Sequence, residues 1–146
     1  MKKITIFLFA AVLCFCLFSY AESMAAENEK KHPIDLELEK RLSTANTTFE
    51  MSEAFGWAAK EWDKLLNVNY KALMQKLSKK RQEQLRAAQR EWVKYRDLEF
   101  TFNADYNSDY GGTIAGLNVI AFQCDFVRER ALALGNYLKS YEEDLD

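Results

Sequence analysis

From Thr47 onward the sequence places apolar residues three and four apart over long stretches, and its single proline, Pro33, lies upstream of all of them. That spacing gives a helix one buried face. The first stretch reads Phe55, Ala58, Ala59, Trp62, Leu65, Leu66, Leu73 and Leu77. Thr47 followed by Glu50 has the spacing of a capping box, so a long helix is predicted to begin there. After a corner at Ser78 to Lys80 the pattern resumes with Leu85, Ala88, Trp92, Tyr95 and Phe102. The segment Asn103 to Gly112, rich in Asn, Asp, Tyr and Gly, is expected to be a loop. Thr113 is expected to cap a third long helix carrying Leu117, Ile120, Ala121, Cys124, Val127, Ala131, Leu134, Leu138 and Tyr141.

A shorter helix from Asp35 to Leu42 follows His32-Pro33, since proline keeps the residue before it out of helical conformation. No strand pattern competes, and neither an internal repeat nor a second domain is visible. The expected fold is all-α, an antiparallel bundle of three long helices with a short additional N-terminal helix, occupying residues 34–146.

The N-terminus reads as an address. Lys2 and Lys3 precede an apolar run from Ile4 to Phe18, and Ser19-Tyr20-Ala21 offers small residues for cleavage, the layout of a secretory signal peptide over residues 1–21. Cleavage after Ala25 is the alternative site. The run is shorter than the roughly 20 residues a membrane-spanning helix needs, so no span is expected after cleavage. Residues 22–33 then form a polar leader. Cys14 and Cys16 follow bulky residues, Leu13 and Phe15, which disfavours lipid attachment, and both leave with the signal. The exported chain retains only Cys124 and cannot form an internal disulfide; on an apolar stripe, that cysteine reads as a core thiol.

Losing Lys2 and Lys3 moves the net charge from −2 to about −4, and a net charge of that sign is not that of a nucleic-acid binder. With 49% apolar and 14% aromatic residues the chain has enough material for a packed core. Catalysis finds little support. His32, the only histidine, sits in the leader, so no serine or cysteine has an evident base and no histidine metal cluster is available. Asp97 and Glu99 are two apart on one helix and point different ways, a poor pair for flanking one glycosidic bond. No cofactor is expected.

Two groups of polar residues stand out. Asn67, Gln89, Arg96, Glu99 and Arg130 lie within or beside the stripes, and Gln89, Arg96 and Glu99 share a helix face that could meet Asn67 and Arg130 from neighbouring helices. They read as a buried network fixing register between helices, as a site where Arg96 and Arg130 hold an acidic ligand, or as plainly exposed surface residues. The expected loop combines Asp105, Tyr106, Asp109 and Tyr110 with Gly111-Gly112. It is either a solvated connection or a recognition element, because tyrosine supplies contact area with a polar tip and acids steer cationic partners.

Leu66-Asn67 with Tyr70, then Leu85, Ala88-Gln89-Arg90, Trp92, Tyr95-Arg96-Asp97 and Glu99, then Gly111-Gly112-Thr113 and Arg130-Ala131, resemble the lysozyme inhibitor LprI-like N-terminal domain family. The resemblance spans His32 to Tyr141. Its most specific piece is the Gln-x-x-Trp-x-x-Tyr-Arg-Asp run from Gln89 to Asp97, which assigns Asn67, Gln89, Arg96, Asp97, Glu99 and Arg130 to the family's polar motif. It implies a small exported helical protein. It also implies cysteines near Arg41, Phe55 and Phe100, of which this chain has none, keeping only Cys124; the two phenylalanines are expected to replace cross-links by packing.

The function implied is inhibition of a lysozyme or similar wall-degrading enzyme, and a chain near −4 suits encounter with cationic lysozymes. The contact residues expected are Asp105, Tyr106, Asp109 and Tyr110. The alternative is a structural or adaptor module that binds another envelope protein without inhibiting lysozyme. Export is expected to end in the periplasm if the host is Gram-negative, and in secretion otherwise.

Overall fold

The computed structural model describes residues 31–143. The expected signal peptide, its cysteines and most of the leader lie outside the described residues. The chain divides after Pro33, and the unit beginning at Ile34 holds the bundle. It contains all but the first residue of α1 (Pro33–Thr44), with α2 (Thr48–Lys76), α3 (Lys79–Ser108) and α4 (Gly112–Glu143). Every regular element among the described residues is a helix.

α1 is longer than expected at both ends. Pro33 takes its first position, where a missing N–H costs nothing, and Asp35 in the first turn and Arg41 in the last suit the helix dipole. α2 opens with the expected capping box: the Glu50 amide donates to Thr47 Oγ1 at 3.1 Å, and the Thr47 amide to Glu50 Oε2 at 3.2 Å. At the next corner the Gln82 side-chain amide donates to the Met74 and Leu77 carbonyls, both at 2.9 Å, satisfying acceptors left open by the end of α2.

Contacts fix the helix directions. Arg128 lies over Trp62, Asn69 Nδ2 donates to the Ala131 carbonyl at 3.0 Å, and the Tyr141 hydroxyl donates to the Lys76 carbonyl at 2.8 Å. Those positions climb together, so α2 and α4 run parallel. Along α3 the order reverses, with Gln89 meeting Arg130 and Phe100 meeting Phe122.

The core lies between α2 and α4. Ala58, Trp62, Leu66 and Leu73 face Cys124, Val127, Ala131 and Leu134. Alanine at 58 and 131 lets the helices come close, and at Gly135 a Cβ would stand 3.0 Å from Asn69 Nδ2. Trp62 is fully buried, so its truncation to alanine would cost about 3 to 5 kcal/mol. α1 is tied to this core by a bidentate ion pair, Arg128 Nε and Nη2 to the Asp35 carboxylate at 2.9 and 2.8 Å. Arg41 stacks on Trp57 at 4.2 Å. Phe55 and Phe100 both pack against the core, and Phe100 also meets Phe122 and Phe126 edge-on.

α3 departs from expectation in two ways. It continues through Asn103 to Ser108, so the expected loop shrinks to a turn at Asp109–Gly111. Local bonds hold that extension: Asn107 Nδ2 donates to the Asn103 carbonyl at 2.8 Å and Ser108 Oγ to the Asp105 carbonyl at 2.6 Å. Gly111 and Gly112 complete the turn at φ of 62° and 68°, which glycine adopts without steric cost. α4 therefore begins at Gly112, and Thr113 falls inside its first turn instead of capping it. The second departure is burial. Tyr95 and Phe102, expected on the packed stripe, are exposed, and Asn107 is the buried residue of α3.

Candidate partner-binding face

The second half of α3 carries Tyr95, Leu98, Phe102, Tyr106 and, just past its end, Tyr110, at steps of three and four. These residues are 53%, 70%, 66%, 55% and 64% exposed. Such spacing lines them up on one side of the helix. α3 turns an adjoining side to α4, where Trp92 and Phe100 meet Phe126, and Tyr95, at the edge of the ladder, reaches the same ring at 5.6 Å. Side chains four apart stack along the exposed ladder. Phe102 and Tyr106 ring centres are 6.1 Å apart, Tyr106 and Tyr110 5.8 Å, and the Tyr110 hydroxyl donates to the Tyr106 hydroxyl at 3.2 Å. That bond raises the Tyr110 phenol above its ordinary range, and a bond to Glu99 does the same for Tyr95. Both phenols therefore stay protonated and polar-tipped at neutral pH.

The ladder's surroundings are acidic. From Asp97 to Tyr110 the chain has Asp97, Glu99, Asp105 and Asp109 and no lysine or arginine, and the next base after Arg96 is Arg128. Arg96 pairs with Asp97 at 2.6 Å. Asp105 and Asp109 have no ion-pair partner among the described residues. Acids late in a helix oppose its dipole, and α3 has neither an acid in its first turn nor a base in its last. This charge therefore does not serve the helix that carries it.

Of the expected contact residues, Asp105 and Tyr106 are helical, while Asp109 and Tyr110 belong to the turn. All four are exposed and close in sequence, at one end of the ladder. Sequence reasoning missed its remainder, Tyr95, Leu98 and Phe102. The available signal was the excess of apolar positions in this helix over what one face can bury.

The expected polar network does not form as a unit. Arg130 Nε donates to Gln89 Oε1 at 3.0 Å, which is the single contact between helices within the set. Asn67 is exposed and donates within its own helix to the Asp63 carbonyl and carboxylate, at 2.8 and 3.1 Å. Arg96 turns to Asp97 and over the Trp92 and Phe100 rings, and Glu99 turns to Tyr95. Asn67 and Gln89 instead line a groove of about 430 Å³ between α2 and α3. The register-fixing contacts are Asp35–Arg128 and Asn69–Ala131, both outside the predicted set.

Among the described residues no group of three His, Cys, Asp or Glu is placed to hold a metal ion. No described helix is long and apolar enough to cross a membrane.

The profile of the family described as "Lysozyme inhibitor LprI" matches residues 39–134, covering α2, α3, the second half of α1 and the greater part of α4. The chain belongs to the LprI family. As an LprI member it places the ladder and the Gln89–Arg130 contact within the matched region. The fold is also similar to that of an uncharacterised protein from Burkholderia thailandensis, with a TM-score of 0.72 at 21% identity over 79% of this chain. The match spans 58% of that longer chain. No curated protein matches this LprI-family chain.

Proposed function

We propose that this protein is an exported envelope protein that binds and inhibits a lysozyme or a similar wall-degrading enzyme, and that the exposed ladder of α3 is the contact surface. Family membership supports the activity. The observation that carries the choice of surface is the coincidence, on one exposed side of the helix, of five large side chains with two carboxylates, Asp105 and Asp109, that have no ion-pair partner among the described residues. Exposed aromatics supply contact area at low entropic cost, and unpaired acids speed encounter with a basic protein. The ladder is a poor match for a second copy of itself, because pairing it antiparallel across a two-fold axis at Phe102 would bring Asp105 of each copy against Glu99 of the other. The reading includes no catalysis, and it puts the mature protein in the periplasm if the host is Gram-negative and outside the cell otherwise.

The test is lysis of cell-wall substrate by several lysozyme classes with increasing mature protein, at low and physiological salt, against an inert acidic protein. Saturable inhibition of one class that persists in salt is expected. Replacing Asp105, Tyr106, Asp109 and Tyr110 together by alanine should abolish it while circular dichroism stays unchanged. Undiminished inhibition by that variant would refute the surface. Absence of inhibition in every class would favour the adaptor reading, in which the same ladder docks another envelope protein recoverable by co-purification.

A further inference from the structure

Near the opposite end of α3 a second groove, of about 520 Å³, opens between the last turns of α2, the start of α3 and the end of α4. That size falls within the range of small-molecule sites. Its apolar lining comes from Leu73, Leu77, Leu85 and Ala88, and two guanidiniums, those of Arg81 and Arg130, reach it as well. No carboxylate lines it. Arg81 has no ion-pair partner among the described residues. Arg130 spends Nε on Gln89, while its two terminal nitrogens have no hydrogen-bond partner there. Burial already depresses the Arg130 guanidinium below its ordinary range, so a charge partly stripped of water stands beside an apolar trough with no counter-charge.

We infer that this groove binds a free fatty acid, its carboxylate held by Arg81 and Arg130 and its chain laid along Leu73, Leu77, Leu85 and Ala88. An acidic peptide fits less well, since its backbone groups need partners once covered. The groove has few to give: apart from the two arginines and Gln84, its polar side chains are the Ser140, Tyr137 and Tyr141 hydroxyls, and Tyr141 already donates to the Lys76 carbonyl. Arg96, the other basic residue of the polar motif, does not line the groove. The site is separate from the ladder and does not depend on lysozyme inhibition.

Calorimetric titration of the purified mature protein with laurate below its critical micelle concentration tests this, with 1-dodecanol and dodecyltrimethylammonium as neutral and cationic comparisons. Saturable one-to-one binding of laurate alone is expected. Arg81→Gln, at an exposed position, should weaken it about tenfold, the size expected for one charge-assisted hydrogen bond. Ala88→Trp should abolish it by filling the trough from an exposed position with both arginines intact. Equal binding of all three amphiphiles, or laurate affinity unchanged in both variants, would overturn the assignment. So would binding to vesicles of anionic phospholipid with none to monomeric laurate, which would make the surface around Arg81 and Arg130 a membrane contact instead.

Discussion

Cys124 lies fully buried between α2 and α4, one turn before Arg128 and its partner Asp35. Burial is the main reason its thiol is pushed up to about 12, with Asp125 and Asp35 adding to the effect and Arg128 partly offsetting it. Because the thiolate is the reactive species, the folded protein should resist Ellman's reagent at pH 8 and react at once in denaturant. Rapid labelling of the native state would contradict the packing described. The same shift has a stability consequence. Above about pH 9 the unfolded chain releases this proton while the folded chain keeps it, so the contribution is complete below the unfolded value and is lost as pH rises toward 12. Cys124→Ala should therefore show a shallower alkaline fall in Tm than the parent, and parallel curves would count against it. The thiol's inertness was legible in its place on an apolar stripe, whereas the Asp35–Arg128 pair was not. Nothing in a one-dimensional pattern brings two residues 93 apart together.

At the level of elements, the start of α2 is the most locally determined feature. The Glu50 carboxyl is held below its ordinary range chiefly by the Asn46 amide, which donates to Oε2 at 2.6 Å, and by bonds with Thr47. A lowered carboxyl contributes its stability above the unfolded value near 4.5 and loses it as pH falls through the folded one. Glu50→Gln, nearly the same shape, should thus be less stable than the parent at pH 7, and the gap should close as pH falls from 4.5 through the lowered folded value. A gap independent of pH would assign the loss to something other than charge. Thr47→Ala should cost about 1 kcal/mol in chemical denaturation, as helix caps do. This box was readable because both partners sit three residues apart, and α2 and α4 were readable because each has a buried stripe. α3 was read less well for a matching reason. Asn103, Asp105, Asn107 and Asp109 carry turn chemistry, but here the Asn107 side chain bonds back to its own helix and the aromatic stack runs on through Tyr106. Tyr95 and Phe102 continued the apolar period but stay exposed, Tyr95 with its ring beside Phe126 and Phe102 against Tyr106 of its own helix. Periodicity reports a face, not whether something covers it.

Across the whole molecule, stability and charge are both unevenly spread, and the unevenness centres on α3. From Lys79 to Arg96 it carries seven bases and two acids, and from Asp97 to Ser108 only acids. It buries Asn107 alone, whereas α2 buries five residues, Trp62 among them. An element with few buried apolar groups opens at lower free energy than the core it lies on. Native-state hydrogen exchange should therefore show amides of α3 exchanging through a partial opening, well before those of α2 and the middle of α4 that require global unfolding. Protection of α3 equal to that of α2 would show the three helices to be one cooperative unit. The same experiment bears on the proposed surface. A protein that covers the ladder stabilises the closed form of α3 by mass action, so adding the inhibited enzyme should slow exchange from Tyr95 to Tyr110 selectively. Slowing confined to the basic end would move the contact to the other half of the helix, where the groove between Arg81 and Arg130 lies.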